Sequence, residues 1–280
     1  METLPSFETM NRLVTLCREH DDRYHLHLLP ATSEALKHNP HRLFTHHVEG
    51  ELVGLARLLE YDEGEICVLV HPNHRRQGVG RKLIQEVLLW SVSQGKTSVL
   101  LVQEGEAQEG EAFAKAVGGE YTVSEYEMEY TGAVPQPTSH TPSIILRSAS
   151  ESDMETLITI NAQAFGDTQE VSRLSIAKWM AHTEMRFYVG TIENTSIGCL
   201  RVTFDSHTQT AYINSFGVLP EVQGRGYGRQ ILTQVVCALK SEGCYTIRLE
   251  VETENRNALG LYRSCGFEIR CCYAYYRIDC

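Results

Sequence analysis

The chain has 280 residues, is 42% hydrophobic and carries a formal net charge of −11 at pH 7. A chain of this length can bury either one large core or two smaller ones. The negative charge argues against a nucleic-acid partner, because binding to phosphates requires a basic surface. No apolar run is long enough to cross a membrane and the N-terminus lacks the features of a signal peptide, so we expect no membrane partner and a cytoplasmic location.

The first half of the chain begins with a helical pattern and continues with strand-like runs. Within residues 7–20, one helical face collects the apolar residues Met10, Leu13, Val14 and Cys17. The runs at 42–48 and 52–60 flank a short turn around Gly50 and predict a hairpin, and residues 65–70 predict the next strand. The pattern therefore predicts a helix followed by three strands.

A glycine-rich turn, Arg75-x-x-Gly78-x-Gly80, follows the third predicted strand and leads into an amphipathic helix. Glycines at alternate positions allow positive φ and leave room for a ligand, so successive N–H groups at the helix start can bind a pyrophosphate. This turn is a possible second cofactor site, formed by Val70, Arg75, Arg76, Gln77, Gly78, Val79 and Gly80.

The second half of the chain follows a segment rich in proline and turn residues. Residues 133–142 are predicted to form a short, stiff linker between an N-terminal domain at 1–132 and a C-terminal domain at 143–280. A strand is predicted at 144–147. Either Ser150 or Ser152 can cap the next helix, which Gly166 can end.

A second glycine-rich turn, residues 223–228, lies between an apolar run at 211–218 and an amphipathic run at 229–239. The same argument predicts a pyrophosphate cradle here. A dinucleotide-binding turn is the competing interpretation, but Arg229 occupies the position of its third glycine.

The two glycine turns are related by an offset of 148 residues, as between Gly80 and Gly228. The same offset relates residues 70–72 to 218–220 and residues 117–119 to 265–267. A constant offset indicates a tandem duplication in which each copy builds its own sheet and core.

A second motif follows in residues 249–267, LEVETENRNALGLYRSCGF. Together with the turn at Gln223, Gly226 and Gly228, it resembles the GNAT acetyl-coenzyme A-dependent N-acyltransferases, most closely their ribosomal-protein alanine acetyltransferase branch. The tandem arrangement is similar to that of the mycothiol synthases. The resemblance implies two α/β domains of the GNAT fold, an α+β arrangement built on a mixed sheet. In each domain the fourth and fifth strands of the sheet splay apart to admit acetyl-CoA.

The resemblance also implies which residues of the second copy bind acetyl-CoA. They are Phe216, Gly217, Val218, Gln223, Gly224, Arg225, Gly226, Tyr227, Gly228, Asn255 and Tyr262. Backbone N–H groups of the splayed strand at 216–218 would meet the oxyanion. Asn255 would stabilise a helix start, contact the cofactor, or do both.

Glu250 is the candidate general base. It alternates with the apolar residues of its strand and precedes Tyr262 by the same twelve residues as the proposed base of the alanine acetyltransferases. An attacking amine must lose its proton, and a carboxylate can accept it directly or through water. Glu252 is the alternative base, and an exposed Glu250 paired with Arg248 or Arg270 is the structural alternative.

Tyr262 is the candidate partner of the leaving thiolate, to which a phenol can donate a proton or a hydrogen bond. It lies on a helical stripe that ends at Gly266. At the 148-residue offset, the first copy has Val102 for Glu250 and Ala114 for Tyr262, so we expect the first copy to be catalytically silent. Glu104, the counterpart of Glu252, leaves the opposite possibility open.

These observations predict an N-acetyltransferase that transfers the acetyl group of acetyl-CoA to a primary amine by direct attack in a ternary complex, without a metal. A non-catalytic acetyl-CoA-binding protein is the main alternative, and a nucleotide-dependent oxidoreductase is a weaker one. The acceptor, a small molecule or the N-terminus of a peptide or protein, stays open because fold-level resemblance does not identify it.

Overall fold

The computed structural model describes residues 5–21, 41–59, 63–105, 107–132, 143–205 and 208–280. The chain divides into two compact units: unit 1 comprises Met1–Glu125 and Cys271–Cys280, and unit 2 comprises Tyr126–Arg270. The predicted linker at 133–142 lies outside the described residues.

The described secondary structure follows the order expected for two α/β domains. The helices are α1 Phe7–Asp21, α2 Val79–Ser93, α3 Gln108–Ala116, α4 Met154–Phe165, α5 Gln169–Met180, α6 Tyr227–Ser241 and α7 Arg256–Ser264. The strands are β1 His41–Val48, β2 Glu51–Leu59, β3 Glu65–Val70, β4 Ser98–Glu104, β5 Glu120–Tyr130, β6 Ile145–Ser148, β7 Met185–Ile192, β8 Thr195–Asp205, β9 Thr210–Val218, β10 Thr246–Glu252 and β11 Phe267–Asp279.

Unit 1 is a mixed sheet with helices on both faces. Its strand order is β1-β2-β3-β4-β11, in which only β3 and β4 pair in parallel. Helix α2 packs on one face, where Val53, Leu83 and Val87 are fully buried. Helix α1 packs on the other face against β2, β3 and the end of β11.

Unit 2 repeats this plan with strand order β5-β10-β9-β8-β7-β6. Strands β9 and β10 form a parallel pair, while the pairs β6–β7, β7–β8 and β8–β9 are antiparallel. Helices α6 and α7 cover one face, and α4 and α5 cover part of the other.

The unit boundaries fall inside strands β5 and β11, which differs from the division predicted between residues 132 and 143. The last residues of the chain, Tyr273–Asp279, pair antiparallel with β4 of unit 1, whereas Tyr126–Tyr130 belong to unit 2. Each repeat therefore gives up its closing strand segment to the other unit. Hydrogen-bond ladders, and not chain order, define a compact sheet domain.

The helix boundaries confirm the local signals in the sequence. Helix α4 follows a capping box in which Ser150 and Asp153 exchange side-chain and backbone hydrogen bonds, and it ends at Gly166 with φ 75°. The predicted helix at 7–20 and the hairpin at 42–60 appear as α1, β1 and β2. Tyr245 precedes β10 and is 74% exposed, so the apolar alternation of that strand begins at Ile247.

Candidate functional site

The glycine turn of unit 2 leaves open space where a phosphate ligand would fit. Gly224 and Gly226 have φ values of 73° and 83°, and a Cβ added to either would meet no atom within 4 Å. Helix α6 begins directly after Gly226, and no side chain caps it. The N–H groups of its first turn are therefore available to a pyrophosphate, which fits acetyl-CoA.

Two polar side chains of this turn bind the backbone. The amide Nε2 of Gln223 donates to the carbonyl of Val218 over 2.8 Å, and a guanidinium nitrogen of Arg225 donates to the carbonyl of Glu221 over 3.1 Å. Gln223 therefore fixes the turn to the end of β9. This contact gives the glutamine of the motif a structural role in addition to the predicted one.

Strands β9 and β10 separate next to the turn. Their parallel pairing runs from Thr210 and Thr246 as far as Ile213 and Leu249, although both strands continue. The predicted splay between the fourth and fifth strands of the second copy is therefore confirmed. It leaves one edge of residues 214–218 open to a ligand.

A β-bulge lies at the same place on the other edge of β9. Cys199 pairs with Gly217 while Arg201 pairs with Asn214, so Ser215 and Phe216 together oppose the single residue between them on β8. Ser215 takes a φ of 48°. A bulge interrupts the ladder and re-aims neighbouring groups, which frees backbone groups of the predicted oxyanion segment from regular pairing.

Glu250 follows Leu249, the last residue of β10 that pairs with β9, and is exposed. Its neighbours Leu249 and Val251 are buried in the core beneath α6, so Glu250 and Glu252 point to the opposite face. The predicted alternation of β10 is confirmed from Thr246 to Glu252.

Below Glu250 on the same face lies a cluster of paired charges. The Nε of Arg248 donates to the carboxylate of Glu129 over 3.0 Å and lies 3.9 Å from that of Glu127. Arg270 also binds Glu129. These ion pairs hold β10 at β5 and raise the pKa of Arg248 despite its burial.

Tyr262 lies on α7 with only 8% of its surface exposed. Its ring packs against Phe216 of β9 and against Phe267, with centroid distances of 6.5 and 6.2 Å. Burial raises the pKa of Tyr262 to about 12, so its hydroxyl keeps its proton at neutral pH. Since Tyr262 belongs to the core beneath α6, it lies on the opposite sheet face from Glu250.

Asn255 caps helix α7, because its Oδ1 accepts a hydrogen bond from the N–H of Ala258 over 3.1 Å. The helix-capping half of its predicted role is therefore confirmed. Gly228 lies where α7 approaches α6, since a Cβ there would come within 3.2 Å of Leu261. The turn and the tyrosine-bearing helix are thus packed together.

Unit 1 has the same turn with different chemistry. Gly78 matches Gly226 in φ, at 84°, and in open space. Arg76 replaces Gly224 at a φ of 62°. Arg75 donates to the carbonyl of Val70 and forms two hydrogen bonds with Asp21 of α1, at 2.7 and 2.8 Å.

The face of unit 1 that corresponds to the Glu250 face is filled with apolar side chains. Val102 occupies the position of Glu250 and is buried beneath α1 with Tyr273 and Tyr275 of β11. Ala114 occupies the position of Tyr262. Tyr273 and Tyr275 of the C-terminal strand therefore pack in the core of unit 1.

Two groups of residues near the β9–β10 opening and Arg248 were not identified from the sequence. Asn214 and Ser215 interrupt the otherwise apolar run of β9, and that interruption was the available signal. Glu127 and Glu129 alternate along the sequence with Met128 and Tyr130, a two-residue period of residue type, although Glu127 is itself buried. Glu127 and Glu129 belong to unit 2 because the end of β5, residues Tyr126–Tyr130, lies in that unit.

None of the helices in the described parts of the chain combines the length and the apolar character needed to cross a bilayer. Within the same ranges, no group of three or more His, Cys, Asp or Glu side chains is arranged to hold a metal ion.

Two segments, residues 7–118 and 153–267, match the family described as Acetyltransferase (GNAT) family. Mycothiol acetyltransferase from Renibacterium salmoninarum is 26% identical over 239 residues, covering 79% of this chain and 70% of the relative. The enzyme of the same name from Thermobispora bispora is 26% identical, covering 78% of this chain and 77% of the relative.

Two solved structures share the fold. A GCN5-related N-acetyltransferase from Sphaerobacter thermophilus superposes with a TM-score of 0.75 at 20% identity, covering 97% of this chain and 91% of the other. A tandem GNAT protein from the clavulanic acid biosynthesis pathway gives a TM-score of 0.67 at 16% identity, covering 97% and 95%. The predicted fold and the tandem repeat are confirmed.

Proposed function

Because the chain belongs to the acetyltransferase (GNAT) family, and is therefore an acyl-CoA N-acetyltransferase, we propose that unit 2 transfers an acetyl group from acetyl-CoA to a primary amine by direct attack in a ternary complex. One observation carries this proposal. The opening between β9 and β10 has Tyr262 on one sheet face and Glu250 on the other. Donor and acceptor can therefore approach the same strand edge from opposite sides.

The turn and the start of α6 hold the pyrophosphate of acetyl-CoA. Gly224 and Gly226 supply the open backbone, and Gln223 fixes the turn to β9. The thioester then lies along the unpaired edge of residues 216–218. Backbone N–H groups of this edge stabilise the negative charge that develops on the carbonyl oxygen.

Tyr262 stabilises the departing thiolate by a hydrogen bond. Its pKa of about 12 is well above the value of about 8.5 for a thiol, so complete proton transfer from Tyr262 to sulfur would be uphill by roughly 5 kcal/mol. Donation without transfer carries no such cost. The buried hydroxyl therefore acts mainly as a hydrogen-bond donor, and solvent supplies the final proton.

Glu250 accepts the proton of the attacking amine, directly or through water. Its exposed position allows either route, and the neighbouring Arg248 is already neutralised by Glu127 and Glu129. Glu252, two residues further along the same face, is the alternative base. In unit 1 both catalytic side chains are replaced, so we propose that the first unit does not turn over.

The experiment is a CoA-release assay of the purified protein with acetyl-CoA and a panel of amines. The panel contains spermidine, glucosamine, an alanyl dipeptide and deacetylated mycothiol, the last because of the name of the relatives. Release with at least one amine supports the proposal. Binding of acetyl-CoA without release in any arm would instead favour the non-catalytic alternative.

A thermal-shift arm tests the oxidoreductase alternative. Saturating acetyl-CoA should raise the melting temperature, since ligand at about 100 Kd adds roughly 2.7 kcal/mol of stability. NAD(H) should leave it unchanged. A shift with NAD(H) but not with acetyl-CoA would overturn the assignment of the turn.

A further inference from the structure

Asn214 lies on β9 at the point where β9 and β10 separate. Ile213 and Leu249 form the last parallel pair, so Asn214 and Glu250 are the next residues of the two strands. Both pair residues are buried beneath α6. Because side chains alternate along a strand, Asn214 and Glu250 share the opposite face, side by side at the opening.

The amide of Asn214 is held in one orientation. Its Nδ2 donates to the backbone carbonyl of Tyr212 over 2.9 Å and to Oγ1 of Thr203 over 3.3 Å. A backbone carbonyl can only accept, so the nitrogen must face it and the oxygen must face away. Asn214 therefore presents Oδ1, a hydrogen-bond acceptor, from a half-buried position.

We infer that Oδ1 of Asn214 binds the acceptor amine, an inference that rests on the proposed function of unit 2. A neutral primary amine has two N–H groups and one lone pair. The lone pair forms the new N–C bond to the acetyl carbonyl while the C–S bond breaks. One amine proton goes to Glu250, and the other stays on the amide product with its hydrogen bond to Asn214.

This arrangement favours a primary amine as the acceptor, because only a primary amine has one N–H group for Glu250 and a second for Asn214. An N-methylated amine has one N–H and must leave either Glu250 or Asn214 without a partner. The cost of an unmet hydrogen bond at a desolvated site is the usual source of such discrimination. The site should therefore reject secondary amines.

Unit 1 offers a matched comparison at this position. Arg201 pairs with Asn214 on neighbouring strands of unit 2, and Arg57 pairs with Cys67 in the same place in unit 1. Cys67 is 7% exposed within an apolar core. The amide is thus absent from the unit that also lacks the counterpart of Glu250.

The contact is tested by a cycle in which the enzyme is changed by substitution and the substrate by N-methylation. Wild type, Asn214→Leu and Thr203→Val are each assayed with the best primary amine of the panel and with its N-methyl derivative. In wild type, N-methylation should lower kcat/KM roughly 10–100-fold, the worth of one hydrogen bond in a charged setting. Asn214→Leu should lose a similar factor with the primary amine, yet show little further loss on N-methylation.

The control separates binding from packing. Thr203→Val removes one partner of the amide but keeps Oδ1 and the Tyr212 carbonyl contact, so it should retain the discrimination against N-methylation. Acetyl-CoA affinity, measured by calorimetry, should be unchanged in both variants. This result would support a direct contact, because a purely structural role predicts no dependence on the number of amine hydrogens.

Two outcomes overturn the inference, and they can be told apart. If wild type is active but Asn214→Leu discriminates against N-methylation as strongly as wild type, the contact is wrong while the proposed function stands. If wild type acetylates no amine of the panel, the proposed function fails and the inference fails with it.

Discussion

The two units share a glycine turn of similar geometry but differ on the sheet face that carries Glu250 in unit 2. In each, a glycine of nearly equal φ precedes an uncapped helix, with no atom near its missing Cβ. Beyond the turn, the side chains of unit 2 and unit 1 at matched positions are Asn214 and Cys67, Glu250 and Val102, and Tyr262 and Ala114. The comparison separates binding of a phosphate, which needs only backbone, from chemistry, which needs polar side chains.

Helix α1 makes this difference structural as well as chemical. It covers the face of unit 1 with Met10, Leu13 and Val14, each at most 4% exposed. In unit 2 the corresponding face carries exposed Glu250 and half-buried Asn214. Unit 1 thus has buried apolar side chains at the positions where unit 2 has polar ones.

Among the polar side chains that distinguish the two units, Glu250 should give the largest effect when it is replaced, in Glu250→Gln. Removing the proton acceptor should lower kcat roughly 10²–10⁴-fold at neutral pH. The defect should shrink in part as the pH rises, because the amine then no longer has to be deprotonated before attack, but it should not vanish, because Glu250 also accepts a proton during attack by the neutral amine. The measurement is kcat against pH for the variant and for wild type.

Glu252→Gln is the matched control on the same strand face. It should leave kcat close to that of wild type. If Glu252→Gln is the more damaging substitution, the base is Glu252. If neither substitution changes kcat, the difference between Glu250 and its counterpart Val102 does not distinguish an active unit from a silent one.

A smaller effect is expected from Tyr262→Phe, which keeps the ring and its packing on Phe216. Loss of a hydrogen bond to a developing thiolate should lower kcat roughly 10–100-fold, with acetyl-CoA affinity retained. The defect should be smaller for a thioester whose thiol has a lower pKa. A defect independent of the leaving group would indicate that the hydroxyl acts elsewhere.

The smallest effects concern how the first helix of each unit is capped. Before α4, Asp153 accepts hydrogen bonds from Arg147 and from the N–H of Ser150, and these hold the pKa of Asp153 well below its usual range. At the start of α1, the neutral Ser6 accepts from the N–H of Thr9. Asp153→Ala and Ser6→Ala should each cost about 0.5–2 kcal/mol at pH 7.

The two caps should respond differently to acid. The depressed pKa of Asp153 means that its contribution is complete above the unfolded value of about 3.9 and is lost as the pH falls below it. The melting-temperature difference between wild type and Asp153→Ala should therefore shrink from about pH 5 to about pH 3. The difference for Ser6→Ala should stay constant, and an equal acid response in both would refute this distinction.

Local features of this fold could be predicted from the sequence because they depend on neighbouring residues. The spacing of Ile231, Leu232, Val235, Val236 and Leu239 predicted α6, and all five are fully buried. Asn255 and Gly266 marked the two ends of α7. Such signals act within a few residues, where periodicity and capping determine structure.

Pairing between distant strands could not be predicted in the same way. Strands β5 and β11 follow equivalent positions of the repeat, so nothing local indicates that Tyr273–Asp279 pair with β4. The β-bulge in β9 could not be predicted from the sequence either. The bulge inserts one residue into β9. The offset between the two copies is therefore 148 residues after the bulge but 147 residues before it, where Cys67 corresponds to Asn214. For that reason Asn214 escaped comparison by offset alone.

The most direct test of the account compares Gly226→Val with Gly78→Val. Both glycines have nearly the same φ and open surroundings, so valine imposes similar backbone strain, and the two variants differ in the unit affected. The measurement is kcat/KM for acetyl-CoA. The account predicts that Gly226→Val abolishes turnover while Gly78→Val keeps most of it. Loss of turnover in Gly78→Val with activity retained in Gly226→Val would contradict the account and move the chemistry to unit 1.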